Sequence, residues 1–184
     1  MMTPTHSARL LERLSRLIHN EAHAHGLKPV QWDVVRYLAA ANRFSRSPSA
    51  VTSYLNLTKG TVSQTINALE AKGFVVKHAD ATDRRRVTLD LSSQARAVLK
   101  DDPLLRISSH MDALKEDSRR GLDAGLGELL DRLIRERNGR PFGVCHTCRH
   151  HRPGREEGQG GFCNLLQEGL TVEDGNLLCV EHAA

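Results

Sequence analysis

Four cysteines near the end of the chain have the spacing of metal ligands. They follow the pattern C-x2-C-x14-C-x15-C at Cys145, Cys148, Cys163 and Cys179. Two thiolates separated by two residues can bind one ion from a single turn, and two distant thiolates can complete a tetrahedral set by folding the chain. Four thiolates suit zinc or an iron–sulfur cluster. We therefore predict a zinc site, with an iron–sulfur cluster as the alternative.

The second half of this pattern leaves the ligand set open. A repeated C-x2-C would be the strong zinc signature, but Cys179 is followed three residues later by His182. His182 is therefore the reserve ligand, and its use would leave Cys163 outside the site. Disulfides are disfavoured in a reducing cytoplasm. The sequence favours ligation by the four cysteines, which would supply much of the folding free energy of this small, glycine-rich segment.

A second group of chemically useful residues lies on one face of a predicted helix that begins at Lys59 and stops at Gly73. Val62, Ile66 and Leu69 recur at helical spacing and mark the buried face. The opposite face carries short or planar polar side chains, which can address base edges and phosphate oxygens in a major groove. These candidate DNA contacts are Thr61, Ser63, Gln64 and Asn67.

A basic hairpin is predicted directly after this helix. Residues 74–77 are rich in β-forming side chains, and residues 87–91 alternate apolar and polar side chains as a half-buried strand does. The polar segment between them ends in Arg84, Arg85 and Arg86. Arginines at a hairpin tip can reach phosphates or a narrow minor groove. Helix, strand, basic tip and strand in succession indicate a winged unit that reads duplex DNA.

Amphipathic helices surround this unit. Three are predicted before it: Ala8–His25, one opening at Pro29 with Trp32 in the core, and Ser49–Leu55, which completes a helix-turn-helix. After the hairpin we predict one helix from Ser92 or Ser93 to about Leu114, kinked at Pro103, and a second over Asp117–Arg137. Their leucine stripes exceed what one winged unit can cover, so we expect a homodimer.

Composition divides the chain at Asn138, Gly139 and Pro141, where helix breakers cluster. Residues 138–184 contain all four cysteines and six acidic residues against four arginines, so the net charge of +4 originates in residues 1–137. Neither a membrane-spanning run nor a signal-peptide pattern is visible, and we expect a cytoplasmic protein. The predicted fold is mainly α (α+β): a winged helix-turn-helix with long dimerisation helices over 1–137, and a cysteine-rich metal-bound module over 138–184.

The order of these elements resembles the MarR (multiple antibiotic resistance regulator) family of winged helix-turn-helix repressors. The segment from Asp80 to Arg85 is similar to the family's D-x-x-D-R-R wing pattern, and LNLTKGTVSQTINALEAKGFV is similar to its turn and recognition helix. The resemblance covers about residues 8–137. Ala81 stands where the family often has proline, and the cysteine-rich tail is no part of the family pattern.

The resemblance implies a dimer that binds double-stranded DNA at a pseudo-palindromic operator. The two recognition helices would enter successive major grooves, about one helical turn apart. Ser63, Gln64 and Asn67 would contact bases or phosphates, Lys59 and Thr61 would contact phosphates, and Arg84, beside Arg85, would enter the minor groove. Family members commonly respond to small aromatic ligands in a crevice between the stem and the winged unit.

The function expected from the sequence is therefore transcriptional regulation, with modulation by the cysteine site. The sequence contains no phosphate-binding glycine loop, no G-x-S-x-G and no H-E-x-x-H, so we do not expect an enzyme. Two alternatives keep the cysteine cluster as the working site: a metal- or thiol-dependent redox enzyme, and an adaptor that docks a protein partner.

Overall fold

The computed structural model describes residues 5–21, 24–79, 87–154 and 160–183. The first part contains α1 (His6–Glu21), α2 (Pro29–Ala40), α3 (Pro48–Leu55), α4 (Lys59–Ala71), β1 (Val75–Ala79), β2 (Val87–Leu91), α5 (Ser93–Val98), α6 (Pro103–Asp112) and α7 (Glu116–Glu136). The tail contains β3 (Gly143–Val144), β4 (His151–Arg152), β5 (Phe162–Cys163), β6 (Glu168–Gly169), α8 (Val172–Asn176) and β7 (Leu178–Cys179). The helix-rich winged-helix architecture is confirmed.

Local hydrogen bonds fix the helix-turn-helix formed by α3 and α4. Asn56 ends α3 in the left-handed conformation, with φ 51°, which a short polar side chain tolerates. Thr58 then caps α4, because its hydroxyl accepts the Thr61 N–H at 3.2 Å. Gly73 follows the helix with φ 76°, which suits glycine. The predicted start of this helix at Lys59 and its stop at Gly73 are both confirmed.

The core of the winged unit forms where α2, α3, α4 and the hairpin meet. Val62, Ile66 and Leu69 of α4 are buried against this core, which confirms the face assigned from the sequence. Trp32 is fully buried, as expected for core packing. Removing such large apolar side chains from water is the main source of stability in a unit of this size.

β1 and β2 form an antiparallel hairpin whose register runs from Val75 opposite Leu91 to Ala79 opposite Val87. Leu89 and Leu91 point into the core, as the alternating pattern predicts. Residues 80–86, which include the wing arginines Arg84 and Arg85, lie outside the described residues. The predicted roles of these arginines therefore stay predictions.

Two predicted helices have different boundaries in the structure. α1 ends at Glu21, short of the expected His25, and a 3₁₀ turn reaches Gly26 at φ 70°. The expectation of one kinked helix up to Leu114 is wrong, because α5 and α6 are separate helices joined by a 3₁₀ turn. Asp102 causes the break: its backbone is extended and its carboxylate caps α6 by accepting the Leu104 N–H at 2.8 Å.

The stem helices expose leucines along their length. α7 continues through three glycines, and the residues expected to form its stripe, Leu122, Leu126, Leu129 and Leu133, are 36–41% exposed. Leu10, Leu14 and Leu17 of α1 are also exposed. Isolated exposed leucines are ordinary, but contiguous stripes indicate an interaction surface. Within the described ranges, no helix combines the length and apolar content needed to cross a membrane.

The tail forms a small module of short strands that docks on the winged unit. β3 pairs with β7, and β4, β5 and β6 form a separate three-stranded sheet. Leu178 of β7 bridges to Ala41, which directly follows α2. Phe142, just before β3, packs its ring edge-to-face against Tyr54 of α3, with the ring centroids 5.1 Å apart. Residues 138–154 and 160–183 therefore share an interface with the winged unit, although the chain division at Asn138 stays a prediction.

Candidate functional site

The recognition face of α4 is exposed along its whole length. Ser63, Gln64 and Asn67 point away from the core on the side opposite Val62 and Ile66. Lys59 and Thr61 are exposed at the N-terminal end of the helix, where free N–H groups and the helix dipole favour an anion. The structure thus groups the five predicted contacts on one accessible surface, which a phosphate backbone or a groove edge could reach.

The orientation of Asn67 is set by a residue that the sequence reading did not single out. The Lys77 ammonium on β1 donates to Asn67 Oδ1 and to Glu70 Oε2, both at 2.6 Å. An ammonium group has donors only, so the amide oxygen of Asn67 must face Lys77. The amide NH2 is then left to donate on the exposed face of α4. The sequence gives little indication of this contact, because the pairing of a strand lysine with a helix residue depends on how the hairpin folds back onto the helix.

A second cluster is built from the four cysteines, all of which carry free thiols. Cys145 and Cys179 are buried, with 6% of each exposed, and Cys163 packs beside them. The Asn42 amide donates to Cys145 Sγ at 3.9 Å, and the Ala183 N–H donates to Cys148 Sγ at 3.5 Å. Hydrogen bonds from N–H groups to sulfur are the contacts that stabilise metal-bound thiolates.

Electrostatics link the four sulfur atoms. Burial, followed by the nearby Cys179, raises the pKa of the Cys145 thiol to about 11. Cys163 and Cys148 raise this pKa further, and the hydrogen bond from Asn42 lowers it. The other three sulfur atoms are thus close enough to Cys145 to penalise its thiolate form, and a bound cation would reverse that penalty.

The four thiols suit a thiophilic cation in their chemistry, but they do not present a finished coordination sphere. Among the described side chains, no group of three or more His, Cys, Asp or Glu residues could already hold a metal ion. Cys145 and Cys148 lie on one 3₁₀ turn, with the Cys148 N–H bonded to the Cys145 carbonyl at 2.9 Å. Ligation would therefore require the sulfur atoms to draw together around the ion.

His182, the reserve ligand, lies beside this cluster. Its Nε2 is 3.0 Å from Thr147 Oγ1, and its buried Nδ1 has no hydrogen-bond partner among the described residues. A buried ring nitrogen without a partner calls for an explanation, and a role as a metal ligand would supply one. The structure leaves Cys163 and His182 both available to complete the set.

A cleft of about 500 Å³ lies between α3, the end of α7 and the tail. Tyr54 and Phe142 contribute aromatic surface, Leu130 and Ile134 contribute aliphatic surface, and Arg137 contributes a guanidinium group. A mostly apolar concave site with a few polar groups is the usual form of a small-molecule pocket. The sequence could not locate it, because four of its eleven lining residues come from the tail, which packs against α3 and the end of α7.

Comparison with known proteins agrees with this geometry. Residues 25–86, from the start of the winged unit to the wing tip, match the MarR family model. Over these residues the chain is similar to the MarR family. Regulators of this family are DNA-binding proteins and not enzymes, which agrees with the expectation from the sequence.

Relatives and solved structures extend the MarR likeness beyond that region. The HTH-type transcriptional repressor YetL of Bacillus subtilis is 22% identical over 125 residues, which are 66% of this chain and 75% of YetL. The structure of the S. aureus MepR–DNA complex has a TM-score of 0.60 at 20% identity, covering 71% of this chain and 99% of MepR. The structure of a MarR transcriptional regulator from Methanosarcina mazei has a TM-score of 0.58 at 19% identity, covering 70% of this chain and 96% of that regulator. These structures share the fold.

Proposed function

We propose that this protein is a homodimeric, sequence-specific DNA-binding transcriptional repressor. The observation that carries the proposal is the exposed polar face of α4, which is capped by Thr58, backed by a buried apolar face and followed directly by the hairpin. This arrangement leaves a rigid helix free to enter a major groove. The likeness to a repressor from B. subtilis supports repression as the mode of regulation.

In this proposal the two parts of the winged unit have different roles. Ser63, Gln64 and Asn67 contact base edges or phosphates in the major groove, while Lys59 and Thr61 hold phosphates at the start of α4. The wing arginines Arg84 and Arg85 reach the flanking minor groove, where a narrow groove concentrates negative potential. Phosphate contacts fix the position of the protein, and base contacts supply specificity.

The homodimer is proposed from the exposed stripes of α1 and α7. A second copy would cover these leucines and present two copies of α4 to a pseudo-palindromic operator. We expect Leu126→Glu, on α7, to give a monomer by light scattering and to lose operator binding. Leu165→Glu is the matched control, because Leu165 is an exposed tail leucine (47%) outside the stem. A dimeric Leu126→Glu protein would refute this interface.

DNA binding can be measured by fluorescence anisotropy on duplexes from the promoter region of the protein's own gene, with a shuffled duplex of equal length as the control. We expect specific binding about 10³-fold tighter than binding to the shuffled duplex. Gln64→Ala should reduce this ratio without changing the thermal unfolding temperature. Equal affinity for both duplexes across all promoter fragments would count against this operator location.

We also propose that the tail binds zinc, with an iron–sulfur cluster as the alternative, and that this site modulates DNA binding. Cys145, Cys148, Cys163 and Cys179 would hold the metal, with His182 in reserve. Bound zinc would supply structural cross-linking, whereas a cluster would supply redox sensitivity. Metal analysis and the visible spectrum of anaerobically purified protein separate the options: colourless zinc-loaded protein contradicts the cluster, coloured iron-loaded protein contradicts zinc, and metal-free protein contradicts both.

The cleft beside Tyr54 and Phe142 is proposed as the site for a small aromatic ligand. Its apolar walls can stack an aromatic ring, and Arg137 can bind a polar substituent at the rim. A panel of small phenols and aromatic acids, tested by thermal shift with wild-type and Phe142→Ala proteins, measures this directly. Stabilisation that persists unchanged in Phe142→Ala would refute the location.

A further inference from the structure

We propose that Asn42 is a positioning residue that couples the cysteine cluster to the wing strand β2, so that metal binding in the tail alters DNA affinity through residues 41–46. The inference rests on the proposed function, because it names the route by which the cysteine site would modulate DNA binding. It differs from a route through the stem, in which the end of α7 would carry the signal.

Asn42 contacts the tail through both its backbone and its side chain. It is fully buried, its backbone N–H donates to the Leu178 carbonyl at 2.9 Å, and its side-chain amide donates to Cys145 Sγ. Its amide Oδ1 has no hydrogen-bond partner among the described residues. A buried amide with half of its capacity unused costs free energy, so the contact with sulfur is the feature that explains an asparagine here.

The other end of the same segment contacts the hairpin. The Arg46 carbonyl accepts the Leu89 N–H of β2 at 2.7 Å, and the Arg46 guanidinium pairs with Asp90 at 3.0 Å. Arg46 Nε also donates to the Ala41 carbonyl at 3.1 Å, which closes residues 41–46 into a compact loop. A movement at Asn42 is therefore transmitted to β2 through a short, hydrogen-bonded unit.

Ser45 attaches the middle of this loop to both the tail and the core. Its hydroxyl accepts the Val180 N–H at 2.9 Å, and its carbonyl accepts the Tyr37 hydroxyl at 2.7 Å. Two further contacts, from Arg43 to Asp174 and to the Gly169 carbonyl, hold the tail in place without touching sulfur. The Asn42 side chain thus differs from these docking contacts in touching a candidate metal ligand.

The chemistry of Cys145 gives the contact two states. In the thiol form the sulfur is a weak acceptor, whereas a metal-bound thiolate is a charged acceptor held in a fixed position. Ligation of Cys145 would therefore strengthen the Asn42 hydrogen bond and restrain residues 41–46, and with them the backbone of β2 at Leu89. Because linkage is reciprocal, DNA must increase metal affinity by the same factor as metal increases DNA affinity.

The test uses the full-length protein, stripped of metal by a chelator and titrated with Co²⁺, whose thiolate charge-transfer absorption reports on the sulfur ligands. Asn42→Leu removes the amide that donates to Cys145 and keeps a similar side-chain volume. Because it also removes the unpaired Oδ1, the fold should be kept. Arg43→Ala is the matched control, because it weakens tail docking without contacting sulfur. For wild type we expect Co²⁺ to tighten DNA binding at least about fivefold, and DNA to tighten Co²⁺ binding equally.

Asn42→Leu should shift the Co²⁺–thiolate absorption band. It should also reduce the effect of Co²⁺ on DNA affinity, and of DNA on Co²⁺ affinity, to below about twofold. Arg43→Ala should leave the absorption band unchanged. Hydrogen exchange at the Leu89 amide should slow on Co²⁺ binding in wild type and not in Asn42→Leu, and this readout needs no DNA. Unchanged Leu89 exchange in wild type, or full coupling in Asn42→Leu, would overturn the relay. If hydrogen exchange at the Leu89 amide depends on metal but the protein shows no specific DNA binding, the proposed regulatory function is refuted, whereas the coupling from Asn42 to β2 is supported. Failure to bind Co²⁺ would overturn both the metal site and the relay.

Discussion

Arg36 and Asp102 form a bidentate ion pair between α2 of the winged unit and the first residue of the stem connection to α6. Arg36 Nε and Nη2 donate to the two carboxylate oxygens at 2.8 and 2.6 Å. The side chain of Asp102 is 9% exposed and that of Arg36 is 19% exposed, and the guanidinium also lies over the Trp32 ring. The pair fixes where the stem leaves the winged unit.

We expect Arg36→Leu to lower the free energy of unfolding by about 3–5 kcal/mol, because it leaves the buried Asp102 carboxylate without its charged partner. Arg16→Leu is the control: it breaks an exposed pair with Glu12 and should cost less than about 1 kcal/mol. Denaturant unfolding of the two variants measures both values. Equal stability of the two variants would mean that the Arg36–Asp102 pair adds nothing to the attachment of the stem.

Lys77 should influence base preference without contacting a base. Lys77→Met frees the Asn67 amide to rotate, so discrimination at the base pair facing Asn67 should fall by part of the roughly 1–3 kcal/mol that a good contact supplies. Binding to a set of single-base operator variants measures the change. Lys100→Met removes the same charge from an exposed stem position and should leave the preference profile intact. A profile that is unchanged in Lys77→Met would contradict the orientation of Asn67.

Arg84 is predicted to contact DNA from the wing. We expect Arg84→Ala to weaken operator binding and to reduce the slope of log K against log salt concentration by roughly one unit. The loss should occur on operator and non-specific DNA alike if the contact is only to phosphate, and more strongly on the operator if the arginine enters the minor groove. Unchanged affinity across a salt titration would refute the wing assignment.

Both tyrosines of the chain should resist ionisation in the folded state. Burial raises the pKa of Tyr37 far above its ordinary value of 10.0, with Tyr54 raising it further, and burial also raises the pKa of Tyr54. The unfolded state therefore loses its phenolic protons first, and stability is lost as the pH rises above about 10. In an alkaline titration, phenolate absorbance should appear together with the loss of helical circular dichroism. Ionisation of both tyrosines near pH 10 in protein that keeps its helices would contradict the burial of the Tyr37 ring.

The winged unit could be predicted closely from the sequence, because its signals are local. The cap at Thr58, the stop at Gly73 and the alternation over 87–91 each act within a few residues, and the structure has all three. The apolar stripe of α4 likewise depends only on helical period.

Features that depend on distant contacts could not be predicted in the same way. Asp102, whose carboxylate caps α6 and so ends the preceding helical segment, is also held by Arg36, which lies 66 positions away in the sequence. The cysteines were identified from their spacing, but the contact between Asn42 and Cys145 joins residues that are 103 positions apart. Spacing predicts which residues share a site, whereas the packing of the tail decides which residues of the winged unit touch it.

Selection of binding sites from random duplex DNA tests the central claim most directly, since it needs no knowledge of the operator. The wild-type protein should enrich a two-fold symmetric sequence whose half-sites are separated by about one helical turn. A protein with Ser63, Gln64 and Asn67 all changed to alanine, still folded and dimeric, should enrich none. Enrichment of the same sequence by both proteins, or of no sequence by the wild type, would contradict DNA reading by α4.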